Sequence, residues 1–188
     1  DSKDIAAFAL TATPYGAAFG EPAFFERPGP TTRKRCMITL RNTQAPPFDA
    51  QVSGAIDAFA RKSVVTVTGS TLSKNGDYTD AGGGINNHQG RFDLRDSVFS
   101  ANNADGADGG GGVYNEDQLT VVNSDFLDNT ASRGGGITNN GALTITGSTF
   151  SNNSAMYGGG IENFSDLSVR ATTFYSNTVV DTGGGICN

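Results

Sequence analysis

The sequence predicts an all-β chain: a right-handed, three-sided parallel β-helix of about five clear coils of 24–28 residues, with a further degenerate coil before them. Three observations predict it. A glycine-rich block ends in a β-branched residue five times, at Ile85, Val113, Ile137, Ile161 and Ile186, with spacings of 28, 24, 24 and 25. A large apolar residue is followed three positions later by Asn five times: Leu72–Asn75, Phe99–Asn102, Phe126–Asn129, Phe150–Asn153 and Phe174–Asn177. Two apolar residues stand two apart five times: Val65/Val67, Phe92/Leu94, Leu119/Val121, Leu143/Ile145 and Leu167/Val169. Three blocks recurring in one order at one period define a solenoid.

Each block reads as a strand because its period is two. In Leu143-Thr144-Ile145-Thr146 apolar and polar residues alternate, as in a half-buried strand. A repeat is then three short strands joined by turns. A unit of ~24 residues cannot bury its apolar side alone, so coils stack with like strands in parallel, ~4.8 Å apart. Right-handedness follows from the crossover rule.

Residues 1–62 form an N-terminal segment of different character, and 63–188 the repeats. All six prolines lie in the first part and 22 of the 26 glycines in the second. The first part carries eight Lys/Arg and six Asp/Glu, net +2; the second carries five and thirteen, net −8. Ile38 and Leu40 precede Val65 and Val67 by 27, and Gly54-Ala55-Ile56 precedes Gly83-Gly84-Ile85 by 29, so 36–62 reads as the degenerate coil. Residues 1–35, with Phe8, Phe19, Phe24 and Phe25 among four prolines, are expected to cap the first coil.

Within 63–188 the columns Leu72, Phe99, Phe126, Phe150, Phe174 and Ile85, Val113, Ile137, Ile161, Ile186 are the expected core. Two polar columns accompany them, Asn75, Asn102, Asn129, Asn153, Asn177 and Asn87, Asn115, Asn139, Asn163, Asn188. Asn accepts left-handed backbone and bonds turn amides, and stacked Asn side chains bond one another. Ser70, Ser97, Ser124, Ser148 and Thr172, two before each large apolar residue, are expected inside, bonding the turn backbone. Insertions collect at one corner, between motif Asn and β-branched residue, where the separations are 10, 11, 8, 8 and 9.

Blocks such as Gly134-Gly135-Gly136-Ile137 paired with Phe150-Ser151-Asn152-Asn153 resemble the repeats of the polymorphic outer-membrane proteins, autotransported surface adhesins, and more widely the pectin-lyase-type β-helices. The resemblance covers about two thirds of the chain. It implies a β-helix displayed at the cell surface, and its motifs build coils rather than perform chemistry.

Composition narrows the function. Net charge −6 and pI ≈ 4.6 oppose nucleic-acid binding by phosphate neutralisation. No apolar run approaches the ~20 residues of a transmembrane helix. The outward positions of the first strand column are Thr66/Thr68, Asp93/Arg95, Thr120/Val122, Thr144/Thr146 and Ser168/Arg170. These make no catalytic cluster, Asp93 and Arg95 reading as a solvated pair, and the interrupted threonines are no regular ice-binding array. The single histidine, His88, opposes a His-ligated zinc site and reads as an exposed turn residue. Asp105, Asp108, Glu116 and Asp117 are oxygen donors of the kind calcium takes, but they lack the Gly-Gly-x-Gly-x-Asp pattern of calcium solenoids. No catalytic, cofactor or metal residue is therefore expected. Asn152-Asn153-Ser154 and Asn163-Phe164-Ser165 match glycosylation acceptors, but both acceptor asparagines belong to the coil pattern.

The expected function is a non-enzymatic extracellular or cell-surface protein, adhesin-like or structural. The alternative is a carbohydrate-active or carbohydrate-binding β-helix, which would need a groove of convergent charged residues. The chain begins at Asp1, so processing or a longer parent is expected. The last coil ends bare at Asn188, so copies are expected to stack head-to-tail into a fibre. Cys36 and Cys187, about five coil spacings or ~24 Å apart, would bridge only between stacked copies. Self and surface glycans or proteins are the expected partners.

Overall fold

The structure is a computed structural model that describes residues 5–8, 23–26, 37–41, 56–58, 64–77, 82–104, 106–107 and 109–188. It is all-β, with no helix among the described residues, and therefore no helix long and apolar enough to cross a membrane. Four parallel sheets run the length of a β-solenoid of about five turns. The first comprises Met37–Arg41, Val64–Thr68, Arg91–Arg95, Gln118–Val122, Ala142–Thr146 and Leu167–Arg170. The second comprises Thr71–Ser73, Val98–Ser100, Asp125–Leu127, Thr149–Ser151 and Thr173–Tyr175. The third comprises Gly76–Asp77, Asn103–Ala104, Thr130–Ala131, Ser154–Tyr157 and Thr178–Thr182. The fourth comprises Ile56–Ala58, Ile85–Asn87, Val113–Asn115, Ile137–Asn139, Ile161–Asn163 and Ile186–Cys187. A separate antiparallel pair joins Ile5–Phe8 to Ala23–Glu26.

A coil thus carries four strands, one more than the three the motifs mark. The extra strand follows the motif Asn and has no apolar signature of its own, because it is mostly two residues long. Register follows the repeat: Phe99 pairs with Leu72 and Phe126, and Val121 with Leu94 and Ile145. Ile38 pairs with Val65, Leu40 with Val67 and Ile56 with Ile85. These are the pairings the spacings of 27 and 29 imply. The remainder of 1–35, on which the cap expectation rests, lies outside the described residues.

Alternation sorts the faces. Leu119, Val121, Leu143 and Ile145 are buried while Thr144 is exposed. Phe99, Phe126, Phe150 and Phe174 form a column of rings stacked at 4.8, 4.6 and 4.9 Å, the spacing of the strands that carry them. Its last member is only half-buried.

The polar columns close the corners. Ser97 Oγ donates to Arg95 O at 2.7 Å and accepts the Ser70 N–H at 3.2 Å, and Ser124 and Ser148 repeat the pattern. The Asn129 Nδ2 group donates to Phe99 O and to Asn153 Oδ1, and Asn102 donates to Asn129 Oδ1 through both its backbone N–H and its Nδ2. The same links run from Asn75 to Asn177. On the fourth sheet Asn87, Asn115, Asn139, Asn163 and Asn188 are chained by Nδ2–Oδ1 bonds of 2.6–2.7 Å. Each buried amide thus finds partners in the neighbouring coil.

The left-handed residues differ from expectation. At the two corners flanking the second sheet they are not the ladder asparagines but their predecessors Lys74, Ala101, Asp128, Asn152 and Ser176, together with Gly69, Asp96, Asn123, Gly147 and Ala171 at the preceding corner. The bend must precede the Asn so that its side chain turns inward. Alanine suits this backbone poorly, the left-handed well costing roughly 1–2 kcal/mol against ~0.5–1 kcal/mol for glycine's extra entropy. Ala101→Gly is therefore expected to stabilise by about 0.5–1 kcal/mol, read as a higher urea midpoint at unchanged slope. A lowered midpoint would contradict the corner geometry.

Candidate functional site

The outward column of the fourth sheet departs from the alternation seen elsewhere. Asn86, Tyr114, Thr138 and Glu162 are in register and point away from the core, yet they are only 4, 6, 0 and 4% exposed. The glycine blocks cause this. The glycine three before each block's β-branched residue folds its backbone against the strand that follows. A Cβ on Gly134 or Gly158 would run into the carbonyl of Ile137 or Ile161, and both glycines have positive φ. Loop backbone therefore lies over the sheet, and Thr138 Oγ1 donates to Gly109 O at 3.2 Å.

Three columns meet on this face: the residue before each ladder Asn, the residue after it, and the residue before the glycine block. The first two form a polar relay. Asn86 Nδ2 lies 2.8 Å from His88 Nε2, and His88 Nδ1 lies 2.8 Å from Glu116 Oε2. Where Asn86 Nδ2 donates to Nε2, a ring hydrogen on Nδ1 points toward the carboxylate. Tyr114 Oη donates to Glu116 Oε1 at 3.0 Å and accepts from Asn140 Nδ2 at 2.8 Å. His88 is thus a half-buried member of a network over three coils rather than an exposed turn residue. The side chains of His88 and Glu116 are 23% and 39% exposed.

The third column supplies a cation. Arg133 and Tyr157 pair across neighbouring coils. Arg133 Nη1 donates to Glu162 Oε1 at 2.9 Å, and its guanidinium lies 5.3 Å from the Tyr157 ring centroid and 5.4 Å from that of Phe164. Ion pair and rings together hold the guanidinium over the sheet. Between these groups is an open, mostly polar groove of about 300 Å³, lined by Tyr114, Arg133, Thr138, Asn140 and Phe164. It offers a carboxamide, a paired cation and one exposed ring, over a floor in which the Tyr114 and Thr138 hydroxyls are already bonded.

The other residues singled out in the sequence fall elsewhere. The core columns from Leu72 to Phe150 and from Ile85 to Ile161 are buried, and Ile186 in the last coil is 36% exposed. Asp93 accepts two bonds from Arg91, at 3.0 and 3.1 Å, so its partner is the residue two before it on the same face rather than Arg95. Of the calcium candidates, Glu116 is held by His88 and Tyr114, and Asp117 Oδ2 accepts the Gly90 N–H at 2.8 Å. Asp105 and Asp108 lie outside the described residues, among which no group of three or more His, Cys, Asp or Glu is placed to hold a metal. Of the two glycosylation acceptors, Asn163 is buried in its ladder, leaving no room for a glycan in the folded chain, whereas Asn152 is exposed at a left-handed corner. Cys187 is a half-exposed free thiol, 3.5 Å from Thr182 Oγ1; Cys36 lies outside the described residues.

The groove does not follow from the outward residues of the first strand column, because it is built on the fourth sheet. Its signal in the sequence is Ile-x-Asn-y and its Val variant, where x and y read Asn86/His88, Tyr114/Glu116, Thr138/Asn140 and Glu162/Phe164. Hydroxyl, carboxamide, carboxylate and aromatic side chains replace one another there, while the core columns stay uniform. No protein-family model matches the chain, and no curated protein or solved structure matches it either.

Proposed function

We propose that the chain is a non-enzymatic extracellular or cell-surface β-solenoid, structural or adhesin-like, built of polymorphic outer-membrane-type coils. One observation carries this reading: the residues that recur in every coil are engaged between coils. The Asn and Ser/Thr columns bond their neighbours or the corner backbone, and the Phe column stacks. What repeats therefore specifies a stack, and what varies faces outward, the division of labour of a display scaffold. Head-to-tail stacking belongs to the same proposal. Val169, Phe174 and Ile186 continue the core columns and are only partly buried, so they fit another coil of this pattern, whether from the same chain or from a second copy.

The experiment is sedimentation of the purified chain across a concentration series, with thermolysin digestion and a polysaccharide panel in parallel. Concentration-dependent association and a protease-resistant core spanning the repeats are expected. A monomer at every concentration would overturn the stacking, and release of reducing or unsaturated ends would overturn the non-enzymatic reading.

The groove favours a second reading, carbohydrate binding. Glu116 and Glu162, the carboxylates that bond Tyr114 and Arg133 of its wall, stand on coils two spacings apart, at least ~9.6 Å between Cα atoms. Each is engaged by its own partners, Glu116 by His88 and Tyr114 and Glu162 by Arg133. A glycosidase needs a free acid and a free carboxylate flanking one bond, and both carboxylates here are already held. The arrangement suits holding a sugar better than cleaving one.

A further inference from the structure

We infer that the groove over Tyr114, Thr138 and Glu162 is a binding site for neutral saccharide units, its chain running along the solenoid axis. The inference rests on the adhesin-like reading and deepens it by naming what the scaffold holds.

Ligand class follows from the lining. A mostly polar, open groove selects a hydrophilic ligand that stays partly in water, unlike the enclosed apolar pockets of drug-like molecules. Charge is balanced within the wall, because Arg133 is paired with Glu162. The nearby Glu116 carboxylate adds negative charge at one end, which opposes an acidic sugar. The remaining recognition groups are neutral. Asn140 is exposed and donates one amide hydrogen to Tyr114 Oη, leaving a second N–H and Oδ1 for a ligand. A carboxamide beside a phenol both donates and accepts, as sugar hydroxyls do.

The apolar contact comes from Phe164, 56% exposed. The Arg133 guanidinium lies over its ring, which orients Phe164 while much of its side chain stays accessible. A pyranose has one face of C–H groups and a rim of hydroxyls, and it meets such a ring face-on while its rim reaches the polar groups. Three neighbouring coils supply Tyr114, Asn140 and Phe164. Contacts therefore recur every ~4.8 Å along the axis, which suits a chain of sugars over a single one.

The test is titration calorimetry on the purified full chain with three neutral probes, cellohexaose, mannohexaose and chitohexaose, and one anionic probe, hexagalacturonate. At least one neutral hexamer is expected to bind with Kd below about 1 mM, and hexagalacturonate at least about tenfold more weakly. Phe164→Ala and Asn140→Ala are each expected to weaken binding about tenfold. Tyr175→Ala, a similarly exposed ring on the second sheet, should leave it unchanged. Phe164 and Asn140 are exposed, and circular dichroism checks that both variants fold. No neutral binding, binding indifferent to both variants, or tighter binding of hexagalacturonate would overturn the inference and leave the scaffold reading intact. Hydrolysis of a bound hexamer would support the site and overturn the non-enzymatic reading.

Discussion

Phe150→Ala is expected to destabilise the solenoid by about 3–5 kcal/mol. The side chain is fully buried, with Phe126 stacked 4.6 Å away on one side and Phe174 4.9 Å away on the other. Truncation opens a ring-sized void between two coils and removes two stacking contacts. The void cannot close, because the strands on either side are fixed at their spacing by backbone hydrogen bonds. Thr149→Ala, one residue earlier on the outward face and half-exposed, should change stability by less than about 0.5 kcal/mol. Urea denaturation of the two variants beside the parent chain decides the matter. Equal losses would mean that inward and outward faces are exchanged, since a slip of one residue swaps them.

Gly135→Ala should be at least as damaging. A Cβ at this position would meet the Gly159 carbonyl oxygen in the next coil, together with Ser154 N at 2.7 Å and Ser154 O at 2.8 Å. All three are backbone atoms held in the coil-to-coil ladder, so no side chain can swing aside. The coils must separate locally, which breaks the Gly135–Gly158 and Gly136–Gly160 hydrogen bonds. A loss of about 4 kcal/mol or more, or a failure to accumulate folded chain, is expected. Gly184 occupies the equivalent place in the last coil, where a Cβ meets only Asn177 O, at 3.2 Å. Gly184→Ala should cost far less. Comparable losses in the two variants would show that coil contact is not the reason for the glycine.

The parts of the structure legible in the sequence are those that every coil repeats. The columns of Phe99, Ile137 and Leu143 can be read because a core position accepts few residue types and the period exposes them five times. Ile38 and Leu40 are legible for the same reason, their spacing matching that of later coils. Left-handed corners are not, since Lys74, Ala101, Asp128, Asn152 and Ser176 share no side-chain chemistry; only the backbone bend unites them. The pairing of Asp93 with Arg91 is equally hidden, because two side chains on one strand face compete for a carboxylate and only geometry selects between them. The groove is the hardest to see. Its residues belong to different coils and types, and it is register that brings Tyr114, Thr138 and Glu162 into line.

The asparagine ladders also give the rod a direction. Along Asn75, Asn102, Asn129, Asn153 and Asn177, each Nδ2 that bonds the next ladder member donates toward the following coil, and the Asn87 column does the same. At the leading members, Asn75 and Asn87, the Oδ1 atoms are buried without a hydrogen-bond partner among the described residues. The carboxamide dipoles therefore add rather than cancel. One end of the stack asks for donors and the other offers them. The ladders therefore have a front and a back, and a further coil continues both columns in one orientation only.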